Sequence, residues 1–75
     1  MIIKGINHYE RIEDKTEIIL DVDFQNLEND AVFVEIWDDG RINMLIMEDG
    51  FPSEEWQLAE EEQREIKEYL KSILQ

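Results

Sequence analysis

The sequence contains no cysteine, a single histidine, a single proline and three glycines among its 75 residues. Without cysteine the chain can form neither a disulfide framework nor a thiolate metal site, so its folding needs no oxidising compartment. It also lacks any apolar run near the roughly 18 residues that a membrane-spanning helix requires. We therefore expect a cytoplasmic protein with no membrane partner.

Basic residues are also scarce, since seven Lys and Arg face twenty Asp and Glu and the formal net charge is −13. Residues 21–62 hold fourteen of these acids, with Arg41 as their only Lys or Arg. Such a charge excludes direct binding to nucleic acid or anionic lipid and attracts basic partners. Disorder is not expected, because 43% of the residues are hydrophobic and they recur at regular intervals. A chain of this length predicts one domain over residues 1–75, with its function on the surface.

Alternating apolar and polar residues predict β-strands near residues 1–10, 16–25, 31–38 and 41–48. The first of these alternates weakly, so its register stays open. A C-terminal amphipathic segment predicts one helix. The predicted fold class is α+β, an antiparallel three- to four-stranded β-meander followed by one C-terminal α-helix packed on one face.

The stretch "DDG" at residues 38–40 predicts the turn between the third and fourth strands. A two-residue loop would set Ile36 opposite Asn43. A three-residue loop with Gly40 in a left-handed conformation sets Ile36 opposite Ile42, and it gathers six apolar side chains on one core face. We predict the second register. On the opposite face it places Phe33 across from Leu45 and Trp37 across from Arg41.

The helix has two candidate starting points. Apolar or semi-apolar positions at Trp56, Ala59, Gln63, Ile66, Leu70 and Ile73 follow helical spacing. Ser53 after Pro52 is a candidate N-cap, which predicts a start near residue 53. The alternative is that residues 54–58 form a short strand or extended arm and that the helix runs from about residue 60 to residue 74.

The sequence offers little for catalysis or for metal binding. His8 is the only histidine, and it lies in a predicted strand without an evident partner or cleft. No window has the ligand spacing of a calcium-binding EF-hand loop. Asp21 and Asp23 would lie roughly 6.6 Å apart along a strand, too far apart to hold one ion together. We expect no enzyme activity, no catalytic residues, no metal and no cofactor.

The spacing of the carboxylates is their more informative property. Steps of two residues on a strand, or three to four on a helix, place charges about 6 Å apart. That interval is similar to the distance between successive phosphates of one nucleic-acid strand. A groove that binds phosphates through Arg and Lys is therefore a candidate partner. A solvated acidic exterior without a partner is the alternative.

In size, absence of cysteine, acidity and element order, the chain resembles the small acidic inhibitors that phages direct against host nucleic-acid enzymes. These are DNA mimics, anti-restriction proteins and anti-CRISPR proteins. The resemblance implies a non-enzymatic inhibitor in the host cytoplasm that occupies the nucleic-acid site of a Cas effector, a restriction enzyme or a nuclease. It carries no signature motif from which a functional residue could be transferred.

We predict partner-binding residues of two kinds. The electrostatic attraction comes from carboxylates, and aromatic side chains supply the desolvated anchors. The acids are Asp21, Asp23, Glu35, Asp38, Asp39, Glu48 and Asp49, and the anchors are Phe33 and Trp37.

Two other functions fit the same sequence. One is an immunity or antitoxin protein that neutralises a basic toxin. The other is a structural or assembly subunit that uses its apolar strand face. That face, with Phe33, Trp37, Leu45 and Met47, is also the predicted surface for a homodimer.

Overall fold

A computed structural model describes residues 1–25, 30–55 and 57–74. Five strands precede one helix, and the strands form a single antiparallel sheet in sequence order. The elements are β1 (Ile2–Ile12), β2 (Lys15–Asp23), β3 (Ala31–Trp37), β4 (Ile42–Glu48), β5 (Phe51–Ser53) and α1 (Glu60–Leu74). Across the described residues, no helix is both long and apolar enough to cross a membrane.

The hydrophobic core lies between α1 and one face of the sheet, which we call the covered face. Alternate residues of β2 and β3 point into it, as the period of two requires. Side chains from α1 and from the segment before it complete the cluster. The buried residues are Ile18, Leu20, Val22, Val32, Val34, Ile46, Leu58, Ile66 and Leu70. The predicted α+β class with a helix on one sheet face is therefore confirmed.

The predicted register of β3 and β4 is confirmed. Ile36 lies opposite Ile42, Val34 opposite Met44 and Phe33 opposite Leu45. Gly40 has a φ of +98° and donates its N–H to the carbonyl of Trp37 at 3.0 Å, which closes the turn. The core face is less complete than predicted, however, because Ile42 keeps 40% of its surface exposed.

The predicted strand count was wrong, because the sheet has five strands rather than three to four. Asp49 and Gly50 form a two-residue turn with φ values of +51° and +84°, and this turn returns the chain along β4. Phe51 then lies opposite Glu48 and Ser53 opposite Ile46. An Asp-Gly turn favours a hairpin. The strand after it is only three residues long and contains Pro52, so its sequence shows no alternation of apolar and polar residues that would predict a strand.

Strand β1 pairs with β2 through two irregularities that explain its weak alternation. The register shifts between Ile3 and Gly5 and again between Ile6 and His8. Each shift inserts one extra residue, as a β-bulge does. As a result Ile3, Ile6 and Tyr9, spaced by three, all lie opposite core-facing residues of β2.

The later of the two predicted helix starts is confirmed. Helix α1 begins at Glu60, and Ser53 belongs to β5 instead of capping a helix. The N–H of Ala59 donates to Oε1 of Glu62 at 3.0 Å, which is one half of a capping box. Trp56, the first member of the predicted apolar stripe, lies outside the described residues.

The segment before α1 contributes a core residue that the stripe did not include. Leu58 is 6% exposed, whereas Ile73, a member of the stripe, is 42% exposed. We predict that Leu58→Ala lowers the free energy of unfolding by about 2–4 kcal/mol, because it removes buried methyl groups and leaves a cavity. The matched variant Ile73→Ala should lower it by less than about 1 kcal/mol. Urea denaturation of the two variants measures the difference, and equal losses would contradict this account of the core.

Candidate functional site

The sheet face opposite α1, which we call the open face, has no helix packed on it among the described residues. Its central row runs across three strands, with Ile19 opposite Phe33 and Phe33 opposite Leu45. All three side chains are half-buried. The predicted anchor Phe33 therefore lies at the centre of the open face.

The β3–β4 turn lies beside the β1–β2 turn, and a bidentate ion pair links the two hairpins. Arg11 donates from its two terminal nitrogens to Oδ1 and Oδ2 of Asp38 at 2.7 and 2.6 Å. The N–H of Asp38 also donates to the carbonyl of Asp14 at 2.9 Å. The hydrogen bonds from Arg11 hold the pKa of Asp38 below its usual value. This predicted binding residue is therefore already satisfied within the chain.

A second cation, Lys15, joins two acids on the open face. Its Nζ lies 2.6 Å from Glu35 and 3.2 Å from Glu17. The hydrogen bond from Lys15 lowers the pKa of Glu35, and a weaker one from Asn43 acts in the same direction. Only 15% of the Glu35 side chain and 24% of the Lys15 side chain is exposed. The pair is therefore better shielded from solvent than an ordinary surface salt bridge.

Trp37 lies between two cations rather than standing free as an anchor. The Nζ of Lys15 is 5.7 Å from the centroid of its ring, and the Cζ of Arg41 is 5.0 Å away. Both distances fall within the range of cation–π attraction. Lys15 reaches the ring because it lies opposite Trp37 in the β2–β3 register.

The third cation, Arg41, pairs within its own turn. Its Nε lies 2.8 Å from Oδ2 of Asp39, and its N–H donates to Oδ1 at 3.0 Å. The backbone hydrogen bond is the larger cause that lowers the pKa of Asp39. We call this region the paired end of the sheet. It comprises the cations Arg11, Lys15 and Arg41 and the acids Glu17, Glu35, Asp38 and Asp39.

The opposite end of the sheet has a different electrostatic character. We call Asp21, Asp23, Glu48 and Asp49 the open acidic end. Within the described residues none of these four carboxylates forms an ion pair. Asp21 accepts a hydrogen bond from Nδ2 of Asn7 at 3.3 Å, and Asp23 accepts one from the N–H of Gln25 at 2.8 Å. Both contacts leave the negative charge in place.

The structure thus divides the seven predicted acids into two groups. Glu35, Asp38 and Asp39 are held by cations at the paired end, and Asp21, Asp23, Glu48 and Asp49 form the open acidic end. The two predicted aromatic anchors separate in the same way. Trp37 belongs with the cations, while Phe33 lies in the central row between the two ends.

Arg11 and Lys15 are the site residues that the sequence reasoning missed. They flank the β1–β2 turn, outside the acidic segment of residues 21–62, so a count along the chain separates them from the acids they neutralise. Matching Ile18 with Val34 and Leu20 with Val32 would have set Lys15 opposite Trp37 and revealed the cluster.

The remaining candidate group is His8, which has one acid beside it. His8 lies on β1, opposite Ile19 of β2. Its Nε2 is 3.4 Å from the carboxylate of Glu10, and the side chains of His8 and Glu10 are both about half exposed. No three His, Asp or Glu side chains in the described parts of the chain converge in a way that could hold a metal ion.

Comparison with protein-family models, with curated proteins and with solved structures finds no match for this chain.

The lowered pKa of Glu35 predicts a pH-dependent stability that Lys15 controls. A carboxyl whose folded pKa is lowered stabilises the fold fully above its ordinary pKa of 4.5, and this contribution is lost as the pH falls through the folded value. We expect Lys15→Met to make unfolding less sensitive to pH below about 4.5, because Glu35 then loses its main partner.

The measurement is the urea midpoint between pH 2.5 and 6 for wild type, Lys15→Met and the control Lys71→Met. Lys71 is an exposed residue in the last turn of α1. Equal pH dependence in the two variants would show that Lys15 does not hold Glu35.

Proposed function

We propose that this protein is a non-enzymatic, acidic protein-binding inhibitor whose open acidic end occupies a basic, nucleic-acid-binding surface of its partner. The observation that supports the proposal most directly is that the carboxylates at the two ends of the sheet differ in their pairing with cations. Four carboxylates at one end lack a cation among the described residues, whereas those at the other end have one. Unpaired negative charge speeds the encounter with a basic partner.

The geometry of β2 supports mimicry of a phosphate backbone. Asp21 and Asp23 are alternate residues of one strand and so extend from the open face roughly 6.6 Å apart. Asp49 lies in the turn at the same end of the sheet, two strands away from β2, at about 10 Å by the usual strand spacing. Glu48 is also at this end, but it is in phase with Met44 and Ile46 and so extends from the covered face. A groove lined with Arg and Lys for successive phosphates would meet charges at similar intervals.

The paired end contributes less in this proposal. A partner arginine that approaches Glu35 or Asp38 meets a carboxylate already bound by Lys15 or Arg11, and that cation repels it. Phe33 is the better anchor of the two aromatics, because it lies two residues along the open face from the level of Asp21. Apolar contact there would accompany the charge contacts at the open acidic end.

The experiment captures proteins from a lysate of the source cell on the immobilised chain at low salt. The captured partner is then eluted in a salt gradient. The test variant carries Asp21→Asn, Asp23→Asn, Glu48→Gln and Asp49→Asn, which keep one acceptor oxygen on each side chain and remove four charges. We expect it to lose roughly tenfold or more in affinity for the captured partner. Duplex DNA or RNA added as competitor should displace the partner from the wild-type chain.

The matched control removes four charges from the exposed side of α1 through Glu60→Gln, Glu61→Gln, Glu65→Gln and Glu68→Gln. It has the same net charge as the test variant and should keep the partner. Equal loss in both variants would mean that net charge alone drives capture. A partner that nucleic acid cannot displace would contradict mimicry and favour an immunity protein bound elsewhere on a basic toxin.

A further inference from the structure

The two edges of the sheet are built differently. Strand β1, at one edge, carries Lys4 and Arg11 and is interrupted by two bulges. Charged side chains and bulges are the devices by which sheet edges avoid pairing with another chain. The β1 edge is therefore protected.

The other edge is partly uncovered. Strand β5 pairs with β4 only from Ile46 to Glu48, and among the described residues no strand pairs with the outer side of Ile42–Leu45. This stretch contains no charged residue and no proline, although the chain as a whole carries a charge of −13. An uncharged, regular strand edge is a template for the addition of another strand.

The ladder between β3 and β4 shows which backbone groups point outward. The N–H of Trp37 donates to the carbonyl of Arg41 at 2.9 Å, so these two residues form a hydrogen-bonded pair. Hydrogen-bonded pairs alternate along an antiparallel ladder, so the N–H and C=O groups of Asn43 and Leu45 point toward β3 and bond to it. The N–H and C=O groups of Ile42 and Met44 therefore point away from the sheet.

A groove of about 440 Å³ runs beside this edge. Residues 42–45 of β4 form one wall, and the other wall is lined by Glu54, Gln57, Leu58, Gln63 and Lys67. The groove lies where β5 would continue if it were longer, so an added segment would meet the backbone groups of β4 on one side and a mainly polar wall, with Leu58 as its apolar residue, on the other.

We propose that this edge pairs with the same edge of a second copy of the chain, antiparallel and about a two-fold axis at Asn43. With the axis there, Ile42 of one copy pairs with Met44 of the other, and all the outward groups of both residues are used. An axis at Ile42 would place Met44 opposite Gly40 in the turn. An axis at Met44 would place Ile42 opposite Ile46, whose outer side β5 already occupies. Only the axis at Asn43 pairs all the outward N–H and C=O groups of Ile42 and Met44.

The charge distribution suits this dimer. Residues 42–45 adjoin the paired end, where Arg11, Lys15 and Arg41 offset the acids. Because the copies are antiparallel, the two Glu48 residues lie roughly 34 Å apart, at about 3.4 Å per residue. That distance exceeds the Debye length of about 8 Å at physiological salt, so the two open acidic ends repel each other weakly. Both remain accessible, which makes the dimer independent of the proposed inhibitor function.

The sharpest test is a cross-link at the proposed axis, because the chain has no other cysteine. At this axis the two copies of residue 43 form a non-hydrogen-bonded pair. The Cα atoms of such a pair lie about 4.5 Å apart, within the range that a disulfide spans. In a glutathione redox buffer, Asn43→Cys should form a covalent dimer roughly tenfold or more faster than Lys4→Cys on the protected edge. Equal rates for the two variants would overturn the proposal.

Sedimentation of the unmodified chain provides the second test. We expect twice the monomer mass at high concentration, and slow hydrogen exchange at the amides of Ile42 and Met44 that speeds up on dilution. Ile42→Pro, which removes an outward N–H at the start of an edge strand where proline is tolerated, should give a folded monomer, while Ile42→Thr keeps the dimer. The proposal fails if the chain is monomeric at every concentration, if those amides are protected in the monomer, or if a folded Ile42→Pro still dimerises.

Discussion

The arrangement of charge in this protein depends on two cations of the first hairpin, Arg11 and Lys15. Strand order places the β1–β2 turn beside the β3–β4 turn, so these side chains reach acids that are distant in sequence. Asp38 is 27 residues from Arg11, and Glu35 is 20 residues from Lys15. The exposed Arg11–Asp38 pair contributes little to stability on its own, whereas the Lys15–Glu35 pair is better shielded from solvent. Their main effect is electrostatic, because they offset negative charge at one end of the sheet and leave it in place at the other.

This polarity gives the two ends of the sheet different proposed roles. The open acidic end carries charge without cations among the described residues, which suits a basic partner. The paired end adjoins the uncharged edge of β4, which suits a second copy of the chain. A uniformly acidic surface would oppose self-association everywhere, whereas concentrating the cations near one edge lowers the repulsion there. One chain of 75 residues can in this way offer two separate surfaces.

The sequence predicted the β3–β4 register correctly because a shift of one residue would have moved Val32, Val34 and Ile46 out of the core. It predicted the body of α1 for the same kind of reason, since Ile66 and Leu70 keep helical spacing. It predicted a strand at β1 but left its register open, because two bulges break the alternation, and it missed β5, which is too short to show any alternation. The candidate site was only half predicted. The acids could be identified from composition, but their partition required the β2–β3 register and with it the position of Lys15.

The most direct measurement of this partition is a pH titration of the side-chain carboxyl carbons by NMR, in the wild-type chain and in Arg11→Ala. We predict that Asp38, Asp39 and Glu35 titrate below their ordinary pKa values in the wild type. In Arg11→Ala the pKa of Asp38 should rise, while the pKa values of Glu35 and Asp39 stay low because Lys15 and Arg41 still hold them. An ordinary pKa for Asp38 in the wild-type chain, or one that Arg11→Ala leaves unchanged, would contradict the division of the sheet into a paired end and an open acidic end.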